Sequence, residues 1–252
     1  MNTDTLEKMR GMRLSGMYRA FKNSLETTTA ATMTADEMVA MLIDSEWDER
    51  YNRNIERGLR NARFRYKATI ENIDYAAARA LDKNQVHRLA DGEFVRKAED
   101  LLITGSTGTG KSFLASAIGH QCCLLGFKVL YANATRLFAQ LKMAKADGSS
   151  IRELVKIEKQ DLLILDDFGI QPLDPQSRAI LMDIIEDRHG KHATIITSQL
   201  PVKQWYDVIG EKTVADAILD RIVHQSQRIE LQGESLRRKA GRKQHDEQDA
   251  TL

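Results

Sequence analysis

The residues of this chain best suited to chemistry stand in one run, Gly105-Ser106-Thr107-Gly108-Thr109-Gly110-Lys111-Ser112. The run fits G-x-x-x-x-G-K-[ST], follows the apolar stretch Leu101-Leu102-Ile103, and opens a helical pattern at Lys111-Ser112-Phe113-Leu114. Glycines at these places let the backbone wrap an anion, so that successive N–H groups and the helix N-terminus face phosphate. Lys111 is expected to reach the β- and γ-phosphates, and the Ser112 hydroxyl to ligate Mg²⁺. ATP and Mg²⁺ are therefore the expected cofactors. The alternative, a chance Gly-rich turn ahead of a helix, has the double context of strand and helix against it.

A second element is Leu162-Leu163-Ile164-Leu165-Asp166-Asp167, a buried-strand pattern ending in two acids. Asp166 is placed to hold the magnesium shell, and Asp167 to orient the attacking water, since phosphoryl chemistry is mostly positioning plus electrostatics. The run Ala193-Thr194-Ile195-Ile196 ends in Thr197-Ser198-Gln199, at the carboxyl edge where ligands of open α/β sheets gather. Ser198 is the candidate for sensing the γ-phosphate. Ser and Thr also end many strands for no such reason.

These groups need a scaffold to bring them together. Leu101–Ile103, Lys128–Tyr131, Leu162–Leu165 and Ala193–Ile196 read as strands with helical patterns between them, and Gln227–Leu231 as a last short run after a helix near Val214–Gln225. The expected fold class is α/β, a P-loop parallel sheet with helices on both faces. A strand and the helical region Asn133–Gln160 separate the two motifs, which places the chain in the ATPase branch that inserts a strand there. Residues 1–66 read as a small all-helical domain that binds DNA or a partner, 67–98 as a connecting segment, 99–240 as the ATPase domain and 241–252 as a disordered tail. Thr34-Ala35-Asp36-Glu37 has the look of a helix start. Met38, Met41, Leu42, Trp47 and Tyr51 follow it at helical spacing.

Charge adds a second theme. The net charge of +1 conceals a segregated distribution. Between residues 50 and 67 seven basic residues, Arg50, Arg53, Arg57, Arg60, Arg63, Arg65 and Lys67, face the single acid Glu56. On a helix, Arg50, Arg53, Arg57 and Arg60 share one stripe, and like charges so arranged call for a polyanion. DNA bound largely without sequence readout, and duplex rather than single-stranded, is the expected partner. Another cluster, Arg237, Arg238, Lys239, Arg242 and Lys243, lies near the C-terminus. No apolar run approaches the roughly 20 residues that span a bilayer, so a cytoplasmic protein without membrane contact is expected. Cys122 and Cys123 read as reduced core thiols.

Taken in order, Gly105 to Ser112, Asp166-Asp167, Thr197-Ser198 and Ala217-Ile218-Leu219-Asp220-Arg221 resemble the AAA+ ATPases. Among these the chain is most similar to the IstB family of transposition helpers and, next, to DnaC-type helicase loaders. The phrases Leu162 to Gly169, Ala193 to Pro201 and Leu81 to Val86 carry that likeness, which extends from the helical N-terminus to about Lys239. The resemblance implies an initiator-like AAA+ domain and an oligomer, ring or helical. It implies that Arg221 is an arginine finger reaching a neighbouring subunit's nucleotide; a salt bridge to Asp220 or another acid is the plain alternative. Arg188 and Arg237 become candidate nucleotide-sensing arginines. Arg136, Lys142 and Lys145 would line a nucleic-acid channel, or else form a solvated helix face. Position 167 carries Asp where Glu is usual, implying slow, partner-stimulated turnover. The function so implied is a helper that assembles on target DNA and presents it to a transposase. A helicase loader gripping single-stranded DNA is the alternative, and a small-molecule kinase a third reading that leaves the basic helix unexplained.

Overall fold

Each apolar run of the second half forms a strand: β1 (Leu101–Gly105), β2 (Val129–Asn133), β3 (Leu162–Phe168), β4 (Ala193–Ser198) and β5 (Gln227–Leu231). All neighbours pair in parallel, in the order β2-β3-β4-β1-β5. Strand β4, late in sequence, therefore lies between β1 and β3, with Ile195 opposite both Leu101 and Ile164. The carboxyl ends of β1, β4 and β3, which carry the candidate residues, are thereby set side by side. In this computed structural model the described residues are 2–27, 32–75, 79–224 and 226–236.

Successive side chains of a strand face opposite sides, and the sheet divides its apolar residues accordingly. Leu101, Ile103, Leu162, Ile164 and Ile195 enter one core. Leu102, Leu163, Leu165 and Ile196 enter the other. Helices α4 (Lys83–Ala90), α5 (Glu93–Arg96) and α6 (Lys111–Leu124) cover the first face with Val86, Leu89, Phe94, Leu114 and Ile118. Helices α7 (Ala134–Ala146), α8 (Ser150–Glu158), α9 (Pro175–Arg188), α10 (Trp205–Ile209) and α11 (Lys212–Val223) cover the second, with Phe138, Ile157, Leu181, Trp205 and Ile218. Burial on both faces explains why the strands read as unbroken apolar runs.

The chain divides into two units, Met1–Arg57 and Gly58–Leu252. The division falls before the expected residue 66, and the segment 67–98 is no mere connector. Its Val86, Leu89 and Phe94 are buried against the sheet, so it belongs to the core of the second unit. The expected tail, 241–252, and the basic cluster at 237–243 lie outside the described residues.

The first unit holds α1 (Asn2–Gly11), α2 (Ser15–Glu26) and most of α3 (Ala35–Ala62). Helix α3 begins where Thr34 indicated. The Thr34 hydroxyl accepts from the Glu37 N–H at 3.3 Å, and the Glu37 carboxylate accepts from the Thr34 N–H at 2.8 Å, a reciprocal cap. Of the apolar series, Met38, Met41 and Leu42 are half-buried, whereas Trp47 is 72% exposed. Glu46, on α3, is buried and accepts from the N–H groups of Gly16 (2.8 Å) and Met17 (3.3 Å) and from Arg50 Nε (2.7 Å). Burial pushes this carboxyl up, but the hydrogen bonds from Arg50, Met17 and Gly16 outweigh it and hold the group below its ordinary value. The close approach requires Gly16, because a Cβ there would sit 2.1 Å from the Ser45 carbonyl oxygen.

Gly16→Ala is expected to destabilise the protein by about 1–3 kcal/mol through overpacking. Gly58→Ala, where an added Cβ meets nothing within 4 Å, should instead stabilise α3 by about 0.5–1 kcal/mol. Urea unfolding followed by circular dichroism checks both; shifts of the same sign would contradict the packing described.

Candidate nucleotide-binding site

The turn from β1 into α6 is shaped by its glycines: Gly105, Gly108 and Gly110 have φ of 144°, 83° and 97°. At Gly105 a side chain is also excluded by contact, since a Cβ would lie 2.2 Å from the Leu231 carbonyl oxygen on β5. Lys111 is buried and its Nζ donates to the carbonyls of Gly105 (2.7 Å) and Ser106 (2.8 Å). Burial lowers its pKa, and the nearby charges of Asp167 and Asp166 oppose that shift. Ser112 begins the helix beside it, half-buried. Thr109 is fully buried, and its hydroxyl closes the loop onto the Ser106 carbonyl at 2.9 Å. At the tip, the Thr107 hydroxyl donates to Gln199 Oε1 at 2.6 Å. Two flanking contacts are not suggested by the motif. Arg79 donates to the Thr109 carbonyl at 3.4 Å, and the Leu236 N–H donates to the Gly108 carbonyl at 2.9 Å.

Across β4 from the loop, β3 delivers Asp166 and Asp167. Asp166 is fully buried. Its carboxylate accepts from the Thr197 hydroxyl at 2.5 Å, from the Tyr131 phenol, and from Arg65 at 3.5 Å. Burial, and the carboxylate it donates to, hold the Tyr131 phenol above its ordinary pKa. Asp167 stands at φ 60°, where β3 slips its register with β4. Its backbone N–H donates to the Thr197 hydroxyl at 3.0 Å, and its carboxylate accepts from Arg65 at 2.9 Å and Asn133 Nδ2 at 3.3 Å. The Ser112 hydroxyl and the two carboxylates are hard oxygen donors, which suits Mg²⁺, a cation that needs only one or two protein carboxylates beside phosphate and water.

Two candidates are corrected here. Ser198 does not face the loop: it is fully buried, donates to the Phe168 carbonyl at 2.7 Å and accepts from the Leu200 N–H at 3.1 Å. Strand alternation turns it away, and its neighbours Thr197 and Gln199 make the contacts. Arg188 is no nucleotide sensor either. It is buried where β3 and β4 begin, donating to the carbonyls of Ile157 and Gln160 (2.9 Å each) and Ala193 (2.6 Å) and to the Thr194 hydroxyl (3.2 Å). Burial lowers its pKa to about 10, while burial pushes the nearby Asp100 carboxyl up to about 7. Arg237 lies outside the described residues. Arg221, half-buried on α11, donates to the Ala217 carbonyl at 2.8 Å and stands 3.8 Å from Glu186, while Asp220 pairs with His224.

The basic residues divide. Arg50 and Arg53 are not uncompensated: Glu46 and Glu49, one turn earlier and just outside the stretch counted in the sequence, pair with them at 2.7 and 3.1 Å. Arg57 and Arg60 are exposed and have no ion-pair partner among the described residues. On α7, Lys142 is tied to Asp174, the residue that caps α9, and holds that carboxyl well below its usual range. This removes Lys142 from a free basic face. Arg136 and Lys145 remain exposed. Burial pushes Cys122 and Cys123 up to about 12, so both stay protonated thiols. Among the described residues no helix is long and apolar enough to cross a membrane.

Missing from the sequence reading were Arg65, counted only as surface charge, and the residues that orient the carboxylates, Tyr131, Asn133 and Thr197. Strand alternation could have pointed to Thr197; no local signal points Arg65 at Asp166.

Strand order, loop and paired acids define a P-loop protein of the AAA+ class. The family model described as IstB-like ATP binding protein matches residues 7–244, and the chain belongs to that family. An insertion-sequence ATP-binding protein of Sinorhizobium fredii (strain NBRC 101917 / NGR234) is 44% identical over 239 residues, covering 95% of this chain and 98% of its own length. Among solved structures, the DnaC helicase loader superposes with a TM-score of 0.54 at 20% identity, covering 66% of this chain and 98% of that one. AMPPCP-bound DnaA from Aquifex aeolicus gives a TM-score of 0.58 at 20% identity, covering 73% and 56%.

Thr197→Val is expected to weaken ATP binding, because Asp166 loses a donor and the Asp167 N–H its acceptor. Ser198→Ala should leave ATP affinity unchanged and cost about 1–3 kcal/mol of stability. Fluorescent-nucleotide titration beside urea unfolding separates the two; a Ser198 variant with impaired binding would reverse the assignment. Because Asp100 binds its proton more tightly in the folded protein than its model value of 3.8, its contribution is full below about pH 4 and lost as pH rises through about 7. Asp100→Asn should flatten the fall in melting temperature between pH 4 and 7; an unchanged profile would contradict it.

Proposed function

We propose that this protein is a Mg²⁺-dependent AAA+ ATPase that assembles as a homo-oligomer on DNA and serves as a transposition helper, delivering target DNA to a transposase and regulating it. The observation that carries the reading is the meeting of Lys111, Asp166 and Asp167 at one sheet edge in a chain of the insertion-sequence ATP-binding family. When bound, Mg²⁺ supplies charge neutralisation across the β- and γ-phosphate oxygens. Loop N–H groups hold the phosphates, Lys111 exchanges its carbonyl partners for phosphate oxygens, Ser112 and Asp166 hold the metal, and Asp167 orients water. The shorter arm of Asp167, compared with Glu, favours slow turnover. Gln199, bonded to the loop tip, takes the sensing role first expected of Ser198.

Arg221 supports the assembly. In its own chain it rests on Ala217 and Glu186 and touches none of the site residues described above. It therefore acts, as a finger, on a neighbouring subunit's nucleotide. The exposed Arg57, Arg60, Arg136 and Lys145 are the candidate phosphate contacts. The fold shared with the DnaC helicase loader keeps one alternative in view, a helicase loader that binds single-stranded DNA.

Sizing with ATP, with and without duplex DNA, is expected to show a large complex that requires nucleotide; a monomer in every condition would sink both readings. Preference for single-stranded over duplex DNA would favour the loader. Affinity for duplex should fall steeply with salt, and Arg57→Ala or Arg60→Ala should each reduce the log–log slope by about 0.9. An unchanged slope removes that arginine from the interface.

A further inference from the structure

Arg65 has a position that the ATPase scheme does not use. It lies just beyond the end of α3, and a pair of aromatic contacts fixes the backbone around it. Phe64 packs edge-on to Tyr131, centroids 6.4 Å apart, and its ring fills the space beside Gly119, where a Cβ would come within 2.7 Å of it. Tyr66 packs on Phe113 of α6 at 6.3 Å. Between these anchors the Arg65 guanidinium lies over the Tyr66 ring and reaches Asp167 Oδ2 at 2.9 Å and Asp166 Oδ2 at 3.5 Å. One cation thus neutralises both acids.

We infer that Arg65 is a built-in counter-ion of the Asp166-Asp167 pair and competes with the divalent cation that accompanies the nucleotide. The inference rests on the reading of the loop as a Mg·ATP site. A hard dication binds through carboxylate oxygens, and those nearest the site are held by a guanidinium. Two cations on one carboxylate pair repel, so metal arrives only as Arg65 lets go. Burial of Asp166 strengthens the competition, because a fully buried carboxylate without a counter-charge is costly. Arg65 thereby keeps the nucleotide-free acids paired at the expense of metal affinity. By linkage, metal and nucleotide together weaken the hold of Arg65 on β3 to the same degree. Arg65 is in this sense a positioning residue, set against the metal.

The test is the ratio of dissociation constants for a fluorescent ATP analogue in EDTA and in Mg²⁺, measured on the full chain. Arg65→Gln and Arg65→Met, two uncharged variants, should raise that ratio roughly fivefold, the effect of a partly exposed charge pair, by tightening binding only in Mg²⁺. Arg65→Lys, which keeps the charge, should stay close to wild type. Direct titration of Mn²⁺ with the analogue present should show the same order by electron paramagnetic resonance. Equal ratios in all four proteins, or equal loss in both buffers, would overturn the counter-ion role. A wild type that binds no analogue in either buffer would overturn the site reading and the inference together.

Discussion

A carboxylate with no exposed surface sits at the centre of this structure. Asp166 remains ionised inside the protein only if its charge is met by donors, since an unpaired buried charge is costly. Those donors come from three directions: Tyr131 on β2, Thr197 on β4, and Arg65 from the segment after α3. Two of the three lie on the strands flanking β3, so the network exists only in the order β2-β3-β4. The same order puts β1 and its loop on the far side of β4. One buried charge thus ties strand topology to the composition of the site.

The site satisfies itself internally. Lys111 rests on two carbonyls of its own loop and the acids rest on Arg65. Nucleotide binding at such a place is an exchange of partners, and its net gain is the difference between phosphate contacts and the internal ones given up. A modest difference makes occupancy responsive to whatever else favours the bound arrangement, such as a neighbouring subunit or DNA. That property suits a nucleotide used to control assembly.

Much of this was legible in the sequence because the signals are local. The loop is a contiguous motif whose glycines are demanded by backbone geometry, and the strands stand out as apolar runs because both sheet faces are covered. The Thr34 cap is likewise a four-residue signal. What escaped is non-local. Ser198 and Gln199 are adjacent in sequence, and only the register at the end of β4 decides which one meets the loop. Arg188 has the residue type of a sensor but serves the opposite end of the strands. Arg50 and Arg53 looked uncompensated because the acids that pair with them precede the stretch in which charge was counted. Arg65 is far in sequence from the acids it holds, and nothing near it announces that contact.

The central claim is that occupancy of this site governs assembly on DNA, and Lys111→Ala tests it most directly. Sedimentation velocity of wild type and variant, each with ATP, Mg²⁺ and duplex DNA, is the measurement. The account predicts a large nucleoprotein complex for wild type and only small species for the variant. A Lys111→Ala protein that no longer binds ATP yet forms the full complex would contradict it.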